Sequence, residues 1–164
     1  MKIKLRKPLI SDAKSYYEIL NHPEFYFFPA KPKSIREEKD FLRKAKKQMD
    51  EGTHYPFAIT AHGKHIGGGG FIIDQTRPYV CQLGFFVARN YWGKGVATQV
   101  VKMLEEYIRE NLDIVRITIC MAKENLASQR VAIKAGYKKE GLMKKYVKIG
   151  ERYHDAYLYA KIIK

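Results

Sequence analysis

A chain of 164 residues, 46% hydrophobic and 13% aromatic, can bury one sizeable core without disulfides or metals, so a single domain over residues 1–164 is expected. Lysine and arginine number 31 against 17 acidic residues, a formal charge of +14 that attracts RNA, the ribosome or a phosphorylated cofactor; the basic residues are spread along the whole chain without an arginine-rich tail, so a dedicated nucleic-acid module is not indicated. No apolar run approaches the ~20 residues of a membrane span, and the N-terminus MKIKLRKPLI scatters its charges instead of enclosing an apolar signal core, which predicts a soluble cytoplasmic protein.

Ile3–Lys7 alternates apolar and basic residues and reads as an edge-like strand. Ser11 with Asp12 is placed to cap a helix over Ala13–Leu20, ended by Pro23. The aromatic run Phe25, Tyr26, Phe27, Phe28 with Pro29 is too short and irregular for a helix. Ser34 followed by Glu37 forms a capping-box pattern for a helix near Ile35–Glu51, stopped by Gly52. Tyr55–Thr60 and His65–Ile73 are strand candidates joined by the turn Ala61-His62-Gly63-Lys64. Four consecutive glycines, Gly67–Gly70, weaken a strand by entropy and point to a bulge, with close approach of a ligand as the other possibility.

Tyr79–Val87 is the next strand, and it runs into the most informative stretch, LGFFVARNYWGKGVA at Leu83–Ala97. A strand that ends in a turn bearing Gly93 and Gly95 and opens directly into a helix-patterned segment aims free backbone N–H groups at an anion. The dinucleotide fingerprint GxGxxG is absent, since Thr98 stands where a third glycine would, and so is the P-loop GxxxxGK[ST]. Val115–Met121 is short and β-branched, as a buried strand is. Asn125 opens a second helix, Leu126–Ala135, closed by Gly136, and two strands near Lys138–Lys148 and Arg152–Ile162 form a hairpin about Ile149-Gly150-Glu151. Cys81 and Cys120 lie in apolar strands as small buried hydrophobes, and the histidines show no ligand spacing, so no metal site is expected.

This order of elements indicates an α+β domain with a mixed sheet in which only the central strand–helix–strand unit need be parallel. LGFFVARNYWGKGVATQVVKMLEEYI followed by ENLASQRVAIKAGYKKEGLMKKYVKIGERYHDAYLYAKI resembles the GNAT superfamily of acyl-CoA-dependent N-acetyltransferases. Within it, YWGKG-A paired with N-x-x-S and the YHDAYLYA ending resembles the branch of ribosomal-protein N-terminal (RimJ/RimL-like) acetyltransferases. The resemblance implies an α/β/α-layered fold with about seven mostly antiparallel strands and one splayed parallel pair that admits the pantetheine arm of acetyl-CoA. Carried over, it assigns Asn90, Gly93, Lys94, Gly95, Val96, Ala97 and Thr98 to the cofactor phosphates, chiefly through main-chain N–H groups. Phe86 and Val87 would run beside pantetheine, and Asn125 and Ser128 would contact the cofactor. Asn90 departs from the family pattern, which expects Gln or Arg there.

The implied chemistry needs a neutral amine, a stabilised oxyanion and a proton for the leaving thiolate. The glutamate base that many members carry before the glycine turn is missing from Val80-Cys81-Gln82-Leu83, because Gln82 cannot take a proton. Ala132 stands where many members carry a tyrosine acid. Ser128 is therefore the expected proton donor, although a first-turn serine also suits the helix start. Tyr146 is the second catalytic candidate, and His154 a relay or substrate contact. The oxyanion falls to a backbone N–H, that of Val87. A weak base suits an α-amine of pKa ~7.7–8.0 better than a lysine near ~10.4, so the expected acceptor is a protein or peptide N-terminus, as of a ribosomal protein, acetylated by direct attack in a ternary complex. A buried carboxylate such as Glu24 or Asp155 would change that preference. The alternatives are a polyamine, amino acid or aminoglycoside acceptor, an acyl-enzyme on Cys81 or Cys120, and a basic RNA- or ribosome-binding module without catalysis. Aromatic walls from Phe25–Phe28 and Tyr55 are expected around the acceptor, and either a monomer or a homodimer is compatible with the sequence.

Overall fold

The computed structural model describes residues 1–164. β1 (Ile3–Arg6) leads into α1 (Ala13–Leu20) and α2 (Ile35–Asp50), after which β2 (His54–Ala61), β3 (Lys64–Ile73) and β4 (Val80–Val87) form a meander. α3 (Val96–Asn111), β5 (Arg116–Ala122), α4 (Leu126–Lys134), β6 (Lys138–Ile149) and β7 (Arg152–Ile162) follow. All the strands join one seven-stranded sheet in the order β1-β2-β3-β4-β5-β7-β6. Every neighbouring pair is antiparallel except β4–β5, the pair whose connection runs through α3. The expected α+β architecture is the one observed, and no helix is long and apolar enough to cross a membrane.

Two local expectations change in detail. Asp12 does not cap α1: its own backbone is helical, and its carboxylate accepts the Leu9 N–H at 2.8 Å and both Arg6 guanidinium nitrogens at 2.7 Å. It therefore pins the end of β1 to the turn before α1. At α2, Ser34 Oγ accepts the Glu37 N–H at 3.1 Å as expected, but the Glu37 carboxylate accepts from Lys33 N–H at 2.6 Å, one residue before the capping-box position. The β2–β3 turn places His62 at φ 49° and Gly63 at φ 75°, the paired left-handed conformation of a two-residue hairpin.

The glycine run is not itself the bulge. The irregularity falls at Ile66, between the pairs Thr60↔His65 and Ile59↔Gly67, and Gly67–Gly70 then pair regularly with both β2 and β4. Their bareness answers to neighbours on every side. A Cβ on Gly67 would strike the Phe86 carbonyl oxygen, and one on Gly70 the Tyr55 carbonyl oxygen. A Cβ on Gly68 would lie 2.6 Å from the Phe86 ring and 2.8 Å from Tyr16 of α1, whereas one on Gly69 would meet Val100 and Leu104 of α3 at 3.2 and 3.3 Å. Adjacent strand residues face opposite ways, so α1 and α3 cover opposite faces of the sheet.

The larger core lies on the α3 face. Val96, Val100, Val101, Leu104 and Ile108 recur at helical spacing and pack on Ile59, Phe71, Leu83, Ile117 and Tyr159. Lys161 of β7 locks this layer by donating to the buried Glu105 carboxylate of α3 at 2.8 Å and to Ala135 O, past the end of α4, at 2.9 Å. On the other face only Ala13, Tyr16, Leu42 and Ala58 form a core, with Phe86 against it. That thin layer leaves room for the segment between α1 and α2.

The sheet has two free edges. β1 is four residues long and carries Lys4 and Arg6. β6 carries Lys138, Lys139, Lys144, Lys145 and Lys148 and is interrupted twice, between Lys139 and Gly141 and between Met143 and Val147.

Overpacking a tight site costs about 1–3 kcal/mol, so Gly70→Ala should lower stability in urea by at least that amount. Gly84→Ala, whose Cβ would meet nothing within 4 Å, should cost nothing. A second test concerns Glu38, buried on the inner stripe of α2 with Leu42 and Ala45. Burial, aided by the neighbouring Glu37 charge, raises its pKa from 4.5 to about 7. The folded chain thus holds this proton where the unfolded chain has lost it, and stability erodes as pH climbs from about 4.5 to about 7. Glu38→Gln should raise the melting temperature at pH 8 and leave it little changed at pH 4.

Candidate active site

β4 and β5 pair only through Val80↔Arg116, Cys81↔Ile117 and Gln82↔Thr118. Beyond that point β4 stays with β3 as far as Gly67↔Val87, and β5 stays with β7 as far as Ala122↔Ala156. A V-shaped gap opens between them. Ala88 N–H donates to Ile66 O at 2.7 Å, so strand alternation turns the N–H and C=O of Val87 to the opposite edge, facing the gap. The Val87 carbonyl accepts from Trp92 Nε1 at 2.6 Å. Its N–H remains directed at the gap.

At the mouth of the gap the chain makes its glycine turn. Gly93 and Gly95 have φ +71° and +75°, and Gly95 is the N-cap of α3. No side chain caps this helix and its first turn holds no acidic residue. The first intrahelical bond runs from Gln99 N–H to Gly95 O at 3.0 Å, which leaves the Val96, Ala97 and Thr98 N–H groups pointing outward at the positive end of the dipole. A Cβ on either glycine would meet nothing within 4 Å. The glycines are needed for their left-handed backbone, and the surface over the amides stays open. Lys94 folds back, its Nζ donating to Asn90 O at 2.9 Å and lying 5.9 Å from the Tyr91 ring centroid.

The far wall is α4. Asn125 Oδ1 accepts the Ser128 N–H at 3.1 Å, so this side chain is the N-cap of the helix. Ser128 is half-buried and lines the same cleft. That cleft, of about 590 Å3, is bounded by Phe86 and Val87 of β4, by Gly93 and Gly95–Thr98 of the turn and α3, and by Asn125 and Ser128. Phe25, Phe27 and Phe28 close it from the side of α1, Phe25 meeting the Trp92 ring edge-on at 5.4 Å and Phe28 meeting Phe86 at 5.1 Å.

Several sequence-predicted residues are not brought there. Asn90 and Lys94 lie outside the lining, joined to each other across the turn. Tyr146 also stands outside: it sits in the second interruption of β6, beside Lys145 at φ +50°, with an exposed ring. Tyr55 stacks on Phe71 at 4.8 Å and faces Tyr107 of α3, on the wrong side of the sheet for the acceptor. Sequence reasoning missed Tyr91, Trp92, Glu124, Arg130 and Lys134, all in the lining. The spacing of Ala127, Val131 and Lys134 along one helix face was the available signal for the α4 wall.

The two carboxylates named from the sequence are tied down. Glu24 pairs with Arg89, which lies 5.1 Å from the Trp92 ring centroid. Asp155 accepts from Lys145 N–H at 3.0 Å and Lys144 Nζ at 3.4 Å, contacts that hold its carboxyl below the usual range. Burial pushes the Cys81 thiol up to about 12 and raises that of Cys120, so neither is the thiolate an acyl carrier requires.

A family model described as an acetyltransferase (GNAT) domain matches residues 2–138. The chain belongs to the GNAT acetyltransferase family. It is an N-acetyltransferase by that membership, and enzymes of this family draw the acetyl group from acetyl-CoA. This GNAT acetyltransferase is 28% identical over 151 residues to the probable N-acetyltransferase YjcK of Bacillus subtilis, covering 90% of this chain and 81% of that protein. Its fold is similar to an acetyltransferase from Salmonella typhimurium that modifies the N-terminal serine of ribosomal protein L7/L12, with TM-score 0.89, 21% identity and coverage of 100% of this chain and 96% of that one. It is also similar to the microcin C7 self-immunity acetyltransferase MccE in complex with acetyl-CoA and AMP, with TM-score 0.87, 24% identity and coverage of 99% and 93%.

Iodoacetamide at pH 7.5 should label Cys81 and Cys120 of the native protein far more slowly than it labels them in urea, as read by mass spectrometry. Cys81→Ala should keep its acetyl transfer.

Proposed function

We propose that this GNAT acetyltransferase binds acetyl-CoA with its pyrophosphate on the start of α3 and its pantetheine arm between β4 and β5, and transfers the acetyl group directly to the α-amine of a protein or peptide N-terminus. The observation that carries this reading is an uncapped helix start opening onto a parallel strand pair that parts after its third residue pair. Gly93, Gly95 and the N–H groups of Val96, Ala97 and Thr98 hold the phosphates. Arg130 and Lys134 supply cations from the α4 wall. The arm lies along Phe86 and Val87, and the Val87 N–H donates to the thioester oxygen as its charge develops. Ser128 gives a proton to the departing sulfur.

The acceptor reading is supported by chemistry at the mouth. Phe25, Phe27 and Phe28 wall the approach, and Arg89 neutralises Glu24. Glu124 is then the one carboxylate of the lining without a lysine or arginine partner, so a polyamine or aminoglycoside would meet a single negative charge where its several ammonium groups require more, in a chain of formal charge +14. A peptide with one α-ammonium and an apolar backbone stem suits such walls better.

Trp92 is the chain's single tryptophan and lines the cleft, so its fluorescence should change on titration with CoA. An acetyl-CoA turnover screen across peptides of different N-termini, spermidine, free amino acids and kanamycin should give turnover with peptides. Turnover with only the small amines would overturn the N-terminal assignment. Ser128→Ala should lower kcat by about 100-fold with the CoA-induced fluorescence change retained.

A further inference from the structure

Acetyl transfer to an amine needs a group that removes the proton of the arriving ammonium, and Gln82, Glu24, Asp155 and Tyr146 do not supply it. Gln82 cannot take a proton, Glu24 and Asp155 are held by Arg89 and by lysines, and Tyr146 is outside the cleft. One further carboxylate, Glu124, lines it, and the His154 imidazole packs against Glu124 behind the lining. The β5–β7 ladder ends at Ala122↔Ala156, and Lys123 N–H still donates to Asp155 O at 2.9 Å. Continuing that register sets Glu124 across from His154.

The face they occupy follows from alternation. Lys161 of β7 reaches Glu105 of α3, so Tyr159 and Tyr157 share the α3 face, whereas Leu158, Ala156 and His154 look the other way, toward the segment after α1. There the Tyr26 ring meets the His154 ring edge-on at 6.2 Å, next to Phe25 and Phe27 of the cleft wall. Glu124 itself lines the cleft, and its Oε2 lies 3.6 Å from His154 Nδ1. The other imidazole nitrogen, Nε2, is buried with no hydrogen-bond partner. Leaving a buried polar atom unpaired costs about 1–3 kcal/mol, and such an atom one side chain behind a cleft wall marks a place for a bridging water.

We propose that the Glu124–His154 pair is the proton acceptor for the substrate amine. The Glu124 carboxylate faces Nδ1 and keeps the proton there, which leaves the lone pair on Nε2. Nε2, buried behind the lining, takes a proton from the bound ammonium through one bridging water, and the freed nitrogen lone pair forms the new C–N bond as the C–S bond breaks with its electrons on sulfur. Ser128 protonates that sulfur and recovers its proton from solvent, the second amine proton is lost as the amide forms, and the imidazolium returns its proton to solvent. The charged and titratable groups around the imidazole are Glu124 from the segment after β5, Tyr26 from the segment after α1, and Asp155 with Lys123 and Lys144 on its flank; its β6 partner Val147 is apolar. This inference rests on the acetyl-CoA reading of the cleft.

The test uses the full chain with acetyl-CoA and two acceptors, a seryl peptide and spermidine, assayed for wild type, His154→Gln, His154→Ala and Glu124→Gln. His154→Gln should lower kcat at pH 7 by about 100-fold, with KM for acetyl-CoA and the CoA-induced Trp92 signal unchanged. For the peptide the deficit should shrink above pH 9, where an α-amine of pKa ~7.7–8.0 loses its proton unaided. Added imidazole should restore part of the His154→Ala rate, and Glu124→Gln should fall between the two. A wild type that acetylates neither amine overturns this proposal together with the acetyl-CoA reading. An active wild type with an unaffected His154→Gln, or with a deficit that is equal at every pH and that imidazole does not relieve, overturns the pair alone.

Discussion

The site depends on where β4 lets go of β5. A parallel pair carries slanted, evenly spaced hydrogen bonds that join two strands wherever both edges are free to meet. Here the pair stops after Gln82↔Thr118 because each strand is committed to its outer neighbour. β4 is clasped to β3 along a run of glycines that could bear no side chain without displacing a carbonyl or a helix. β5 is held by β7, which Lys161 in turn fastens to α3 and the end of α4. The gap is thus the seam between two well-anchored half-sheets, and it turns main-chain groups of β4 toward a ligand at no cost in buried, unsatisfied polarity, since water or substrate can reach them.

The same division sorts the chemistry by face. The face covered by α3 is filled with aliphatic and aromatic side chains, and its cysteine is a thiol of raised pKa. The face covered by α1 and α2 has the smaller core, and the aromatic segment from Phe25 to Phe28 completes it. Donor and acceptor can therefore approach from different sides of one sheet and meet where it is open. An acyl-enzyme is not needed when the two substrates can be held face to face.

Legibility in the sequence followed how local the physics was. α3 and α4 were readable because periodicity, the glycines that open α3, and the capping Asn125 and closing Gly136 of α4 all act within a few residues of one another. The parallel pair was readable because a strand, a helix and a strand in succession leave few other arrangements. Local rules make the glycine run look like the bulge itself, whereas its cause is the approach of Tyr16, Phe86, Val100 and Leu104 from distant parts of the chain. Tyr55 has the composition of an acceptor wall, but its parity on β2 sends it to α3. Tyr146 is an aromatic of the closing hairpin, yet an irregularity in β6 that no short-range signal announces turns it out to solvent. Glu124, one residue before a recognisable cap, carried no motif of its own.

The two sheet edges give the positive charge of this chain a further meaning. An open strand edge offers unpaired backbone groups to any other strand, including that of a second copy. β1 is too short to template much pairing, and β6 presents lysines along an outline broken by two irregularities. Like charges brought edge to edge would repel, and a broken ladder has no continuous register to offer. Part of the excess of lysine therefore serves colloidal behaviour: it keeps a seven-stranded sheet from growing into an eighth strand borrowed from its neighbour.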